Sequence, residues 1–152
     1  MRFLILVKAD ANSEAGVMPT EQMLVEMGKF NEELVRAGVL LAAEGLHPSS
    51  KGKRVRFEGK KKRTVIDGPF TETKELVAGF WLIQAKSMDE AVEWVKRVPF
   101  EESEVEIRPV FEAEDFGAEL NAKIPEVFEA ERKFREEEDR ARAEQQRGAG
   151  SR

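Results

Sequence analysis

The sequence predicts an α+β fold of the split β-α-β kind, and three observations carry that reading. Short apolar runs bounded by turn residues alternate with two segments of helical periodicity, a basic turn splits the middle of the chain, and a charged, apolar-poor segment closes it. At 152 residues with 41% hydrophobic content, ten Phe and two Trp, the chain can bury one core.

The elements follow in order. Arg2 to Val7 is rich in Leu, Ile and Val and ends at the loop Asp10–Gly16, which reads as a buried strand. From Pro19 to Ala37, Met23, Met27, Phe30 and Leu34 recur at steps of four, three and four, so they share one helix face. Pro19 suits the first helical turn and Gly38 a left-handed C-terminal cap. Val39–Ala43 is apolar without alternation, as in a strand covered on both faces, and Glu44–Ser50 breaks it. Arg54–Phe57 and Thr64–Ile66 flank Gly59-Lys60-Lys61-Lys62 and predict a hairpin that runs into Asp67. Leu76–Gln84 is the next strand. Ser87-Met88-Asp89-Glu90 is a capping box opening a second helix, which carries Ala91, Val92, Trp94, Val95 and Val98 and closes at Pro99. Glu104–Phe111 alternates as a strand with one wet face, and Pro109 places it at an edge or near its end.

Strand, helix, strand, hairpin, strand, helix, strand is the split βαβ order of ferredoxin-like folds. Both helices then cover one sheet face, and pairing of the other with an identical sheet predicts a homodimer. Residues 1–113 form this domain. Residues 114–152 form a charged helical extension with the oriented pairs Glu129/Lys133, Glu131/Arg135, Glu136/Arg140 and Glu138/Arg142, fraying from Gln145 onward. Its thin stripe of Val127, Ala130 and Phe134 is either a solvated arm or, with Phe128, a dock for a protein partner.

Composition removes several function classes. A net charge of -5 argues against nucleic-acid clamping, and the hairpin cations (Lys51, Lys53, Arg54, Arg56, Lys60–Lys62, Arg63) are interrupted by one aromatic, Phe57. They read as a solvated edge, or as a draw for an anionic ligand. With no cysteine and one histidine, disulfides, thiolate chemistry and a multi-histidine metal site are excluded within one chain, and no cofactor is expected. The first apolar run is too short to span a membrane, which leaves the cytoplasm as the expected compartment.

The chemistry-bearing residues cluster at two strand ends: Glu44-Gly45-Leu46-His47-Pro48 after Gly38-Val39-Leu40, and Asp67-Gly68-Pro69-Phe70-Thr71-Glu72-Thr73-Lys74-Glu75 before Gly79-Phe80. Over about Met1 to Phe111 these strings resemble the YCII-related family, specifically its DGPF branch. The resemblance implies a ferredoxin-like protomer, a dimer whose two sheets form an α+β barrel, and a cleft with a His/Asp pair at His47 and Asp67. One relative in the wider family is similar to a dehydrochlorinase acting on a chlorinated aromatic. Other members resemble accessory proteins encoded beside extracytoplasmic-function sigma factors.

Residue chemistry gives each site two readings. His47 titrates near neutrality, and a carboxylate on one ring nitrogen would fix its tautomer, so Asp67 would orient it for cofactor-free proton transfer or elimination. Alternatively, Asp67 caps its own turn and His47 is a loop residue bonding a carbonyl. Glu44 is a second carboxylate or a solvated one, and Arg54 or Lys74 would attract an anionic or aromatic ligand. Phe70, Phe80 and Trp81 wall a pocket or fill the core. The competing function is a noncatalytic accessory dimer acting through protein contacts.

Overall fold

The computed structural model describes residues 1–71 and 75–149, so Lys74 lies outside the described residues. Two compact units divide the chain, Met1–Val110 and Phe111–Arg152.

The first unit is built on strands β1 (Arg2–Lys8), β2 (Leu40–Gly45), β5 (Val77–Gln84) and β6 (Val105–Pro109) in the antiparallel order β2-β5-β1-β6. Read as four strands, that order is the ferredoxin-like one. β1 holds the centre: Ile5 lies opposite Trp81 on one side and Ile107 on the other. The hairpin β3 (Lys53–Glu58) and β4 (Lys62–Asp67) stands as a separate two-stranded sheet, exposed over nearly its whole length. Gly59, at φ 64°, supplies the left-handed residue its turn needs.

Helices α2 (Glu21–Arg36) and α3 (Met88–Val95) cover one sheet face. Thr20 caps α2 by accepting the Met23 N–H at 3.2 Å, and Gly38 at φ 70° follows its end. Ser87 caps α3 by accepting the Glu90 N–H at 3.2 Å. Glu90 returns to the Lys86 N–H at 2.6 Å, one residue before the cap, so the expected capping box is displaced by one position.

Phe3, Ile5, Phe30, Leu34, Trp81 and Ile83 form the heart of the core, with Phe30 set edge-on to Trp81 at 5.9 Å. Met23, placed by periodicity on the buried face, is 47% exposed because the apolar stripe of α2 meets the sheet only from Met27 onward. Two further features qualify the expectations. β2 is an edge strand bonded to β5 alone, and its apolar run is half-buried within one chain. The loop Asp10–Gly16 contains a short helix, α1 (Ala11–Glu14), because Asp10 and Ser13 close a capping box at 2.7 and 2.9 Å.

The second unit comprises a 3-10 turn (Ala113–Phe116), α4 (Ala118–Lys123) and α5 (Pro125–Ala149). Phe116 packs between Phe111 and Phe128, with ring separations of 5.4 and 5.6 Å. Val127 and Phe134, expected as its apolar stripe, are 53% and 60% exposed, and Phe128 turns inward instead. Of the expected ion pairs, Glu129–Lys133, Glu131–Arg135 and Glu138–Arg142 form, whereas Glu136–Arg140 does not. α5 remains helical through Ala149, past the expected fraying point.

Candidate functional site

The turn after β4 is fixed by contacts from two distant segments. Asp67 is the last residue of β4, opposite Lys53, and its Oδ1 forms a close ion pair with the Lys53 ammonium. The next residue must be glycine: a Cβ on Gly68 would lie 1.8 Å from the Ser49 carbonyl oxygen and 2.7 Å from its carbon. The Gly68 N–H donates to Gly52 O at 3.1 Å, and the Gly68–Pro69 peptide is cis. The Phe70 N–H donates to Ser49 Oγ at 3.0 Å. Ser49 is itself held by Glu14, whose carboxylate accepts the Ser49 N–H at 3.1 Å and also the Ser49 hydroxyl in a close bond. One hydroxyl thus ties together α1, the 3-10 turn Ser49–Lys51 and the Asp67–Phe70 turn.

This arrangement brings Arg54 and Phe70 together, with the guanidinium 4.0 Å above the ring centroid. It does not join His47 to Asp67. His47 is exposed between β2 and the 3-10 turn, and its ring makes no hydrogen bond or ion pair with a described residue. Asp67 is engaged by Lys53, and neither the imidazole nor an Asx-type bond within its own turn contacts it among the described residues. That ion pair is well exposed on both sides, so it adds at most about 1 kcal/mol.

Glu44 belongs to a different place. Its main chain borders a cleft of about 330 Å³ between α2 and the β2–β5 pair, with Met27, Asn31, Ala43 and Trp81 among the walls, while its side chain, opposite Phe80, points to the other sheet face. The cleft exists because glycines face each other. Val7, Gly79 and Gly45 form one cross-strand row on the helix side, so only Val7 carries a side chain there. A Cβ on Gly79 would sit 2.9 Å from the Glu44 carbonyl oxygen, whereas one on Gly45 would meet no atom within 4 Å. On the wall, the Trp81 indole N–H donates to Asn31 Oδ1 at 2.8 Å.

His47 lies on the chain between these two loci, two residues after Gly45 and two before Ser49. Chain geometry therefore keeps its Cα within about 7 Å of each. Trp81 is core and cleft wall at once, whereas Phe80 borders the cleft through its main chain, its side chain alternating to the other sheet face beside Leu6. Sequence reasoning missed Glu14, Ser49 and Asn31. Asn31 had a signal, a polar residue one turn after Met27 at the margin of the apolar stripe, but Glu14 and Ser49 are joined only by the fold. Among the described residues, no His/Cys/Asp/Glu group is placed to hold a metal ion, and no helix is long and apolar enough to cross a membrane.

A four-stranded antiparallel sheet in this order, with two helices on one face and a glycine-floored cleft beneath one of them, defines a small α+β protein of the ferredoxin-like class. Residues 1–114 match the YCII-related domain, and the chain belongs to that family. It is 33% identical over 76 residues to an uncharacterised protein of Rhizobium meliloti, a match covering 50% of this chain and 60% of that one. Among solved structures, it is similar to the 5-chloro-2-hydroxyhydroquinone dehydrochlorinase of Burkholderia phenoliruptrix AC1100 in complex with 2,5-dihydroxybenzoquinone. That match has 19% identity and a TM-score of 0.37, covering 74% of this chain and 96% of the other.

Proposed function

We propose that the protein binds a small aromatic or anionic molecule in the cleft between α2 and β2–β5 and transfers a proton on it without a cofactor. The observation that carries this reading is the cleft itself: apolar walls of Trp81, Met27 and Val7, a floor left bare by Gly45 and Gly79, and one polar side chain, Asn31. Its volume of about 330 Å³ falls in the range of ligand sites. His47 is the proton-exchanging group, and Arg54, stacked on Phe70, is the cation that draws an anion. Asp67 serves His47 as orienter on ligand binding, when its exposed pair with Lys53 opens. The Asp67-Gly68-Pro69-Phe70 string supports placing the chain in the DGPF branch of its family, which we propose with this reading.

We further propose that two copies pair through their sheets. Leu4 and Leu6 alternate with the core residues of β1 and lie opposite Leu82 and Phe80, and none of the four belongs to the helix-side core. Covering this apolar face is the physical reason for a dimer. The accessory reading rests on a separate observation, the exposed Val127 and Phe134 on α5.

Gly45→Val tests the cleft. The added Cβ meets no atom within 4 Å, and the branched side chain extends over the cleft floor. Titration calorimetry with small aromatic acids and phenols is expected to show binding to the wild-type protein and none to the variant at unchanged thermal stability. Equal binding by both, or binding by neither, refutes the reading. His47→Ala is expected to keep ligand binding while losing turnover.

A further inference from the structure

The geometry points to Asn31 as the residue that sets the ligand class: its side-chain amide donates a hydrogen bond to a carboxylate or carbonyl oxygen on a flat ligand. This inference rests on the proposed cleft and adds the polarity of what the cleft accepts.

An indole N–H can only donate, so the group facing Trp81 Nε1 across 2.8 Å must be the Asn31 oxygen. That bond fixes which end of the amide is which, and Nδ2 is left on the other side. No described residue accepts from Nδ2. Asn31 is half-buried and lines the cleft, where most neighbouring walls are apolar. Two N–H groups without a described acceptor, on a half-buried residue that lines a largely apolar cleft, favour an acceptor and disfavour a donor at that point. Glu44 borders the cleft through its main chain alone, because its side chain, opposite Phe80, alternates to the other sheet face. The donor capacity of the lining side chains is therefore concentrated in one amide, whose orientation Trp81 holds.

Asn31→Asp separates this role from simple support of Trp81, because the carboxylate still accepts the indole N–H but donates nothing. The probes are benzoate and acetophenone, an anionic and a neutral acceptor, titrated into isotope-labelled full-length protein and followed by NMR. Both are expected to move the Asn31 side-chain NH2 resonances and the Trp81 indole N–H in the wild-type protein. Asn31→Asp is expected to weaken acetophenone about two- to tenfold and benzoate more, while the unliganded indole resonance stays near its wild-type position. If the probes shift other cleft resonances but leave the Asn31 NH2 unmoved, or if Asn31→Asp binds acetophenone as tightly as wild type, the donor assignment is overturned and the cleft reading stands. If neither probe shifts any cleft resonance, both fall together.

Discussion

Replacing Gly68 by alanine is the sharpest test of how the turn after β4 is held. The new Cβ would start 1.8 Å from the Ser49 carbonyl oxygen, and real Cβ contacts essentially never fall below 3.0 Å, so one backbone segment must yield by more than an ångström. That displacement breaks the Gly68 N–H bond to Gly52 O and the Phe70 N–H bond to Ser49 Oγ, now 3.1 and 3.0 Å. At about 1 kcal/mol for each bond and about 0.5–1 kcal/mol for the Arg54–Phe70 stack, the loss comes to about 2–4 kcal/mol. For a chain of this length, that lowers Tm by roughly 5–15 °C. Gly45→Ala is the control, since its Cβ meets nothing within 4 Å and the substitution restricts the unfolded chain. It is expected to stabilise by about 0.4–1 kcal/mol. Guanidinium unfolding followed by tryptophan fluorescence measures both. A Gly68→Ala midpoint indistinguishable from wild type would refute the close approach of the turn to Ser49.

Two other outcomes are expected. Leu82→Arg places a charge on the apolar sheet face, and light scattering is expected to report a dimer mass for the wild-type protein and a monomer mass for the variant; a dimer mass for both would remove the sheet from the interface. At β6, a hydrogen bond from the Lys8 ammonium at 2.9 Å, then its charge, holds the Glu106 carboxyl below its ordinary value of 4.5, with Arg108 adding to the effect against desolvation. Because the folded value is the lower one, this pair's contribution is fully present above pH 4.5 and is lost as pH falls through the folded value. Lys8→Met should therefore make stability less steep in pH on the acid side of 4.5, read from urea midpoints, and an unchanged slope would contradict the pairing.

What the sequence disclosed follows from the range over which each cause acts. The element order, Thr20 and Gly38 bracketing α2 and Ser87 opening α3 depend on neighbours a few residues apart, and those are legible in a string of letters. Met23 was misplaced because periodicity gives a face but not where the sheet beneath it ends. The apolar run of β2 marked a strand but not its place at the edge of the sheet, which depends on how β5 pairs with it. Gly68 was readable as a turn residue, while the reason it tolerates no side chain, the Ser49 carbonyl, comes from a segment nineteen positions away. Asp67 illustrates the same limit at the site: the strand that brings Lys53 opposite it is set by hairpin register, so the competing partner was hidden until that register was known.

The place of β1 in the sheet has a consequence for how the chain comes to be made. The strand synthesised first is the one that ends in the middle, bonded to residues 77–84 on one side and 105–109 on the other. At translation rates of about 5–20 residues per second, Phe3 and Ile5 wait roughly 4–15 seconds for β5 to emerge, and longer for β6. During that interval the apolar strand has neither of its sheet neighbours. Closure of the sheet is thus a late event in the life of this polypeptide, paced by the ribosome.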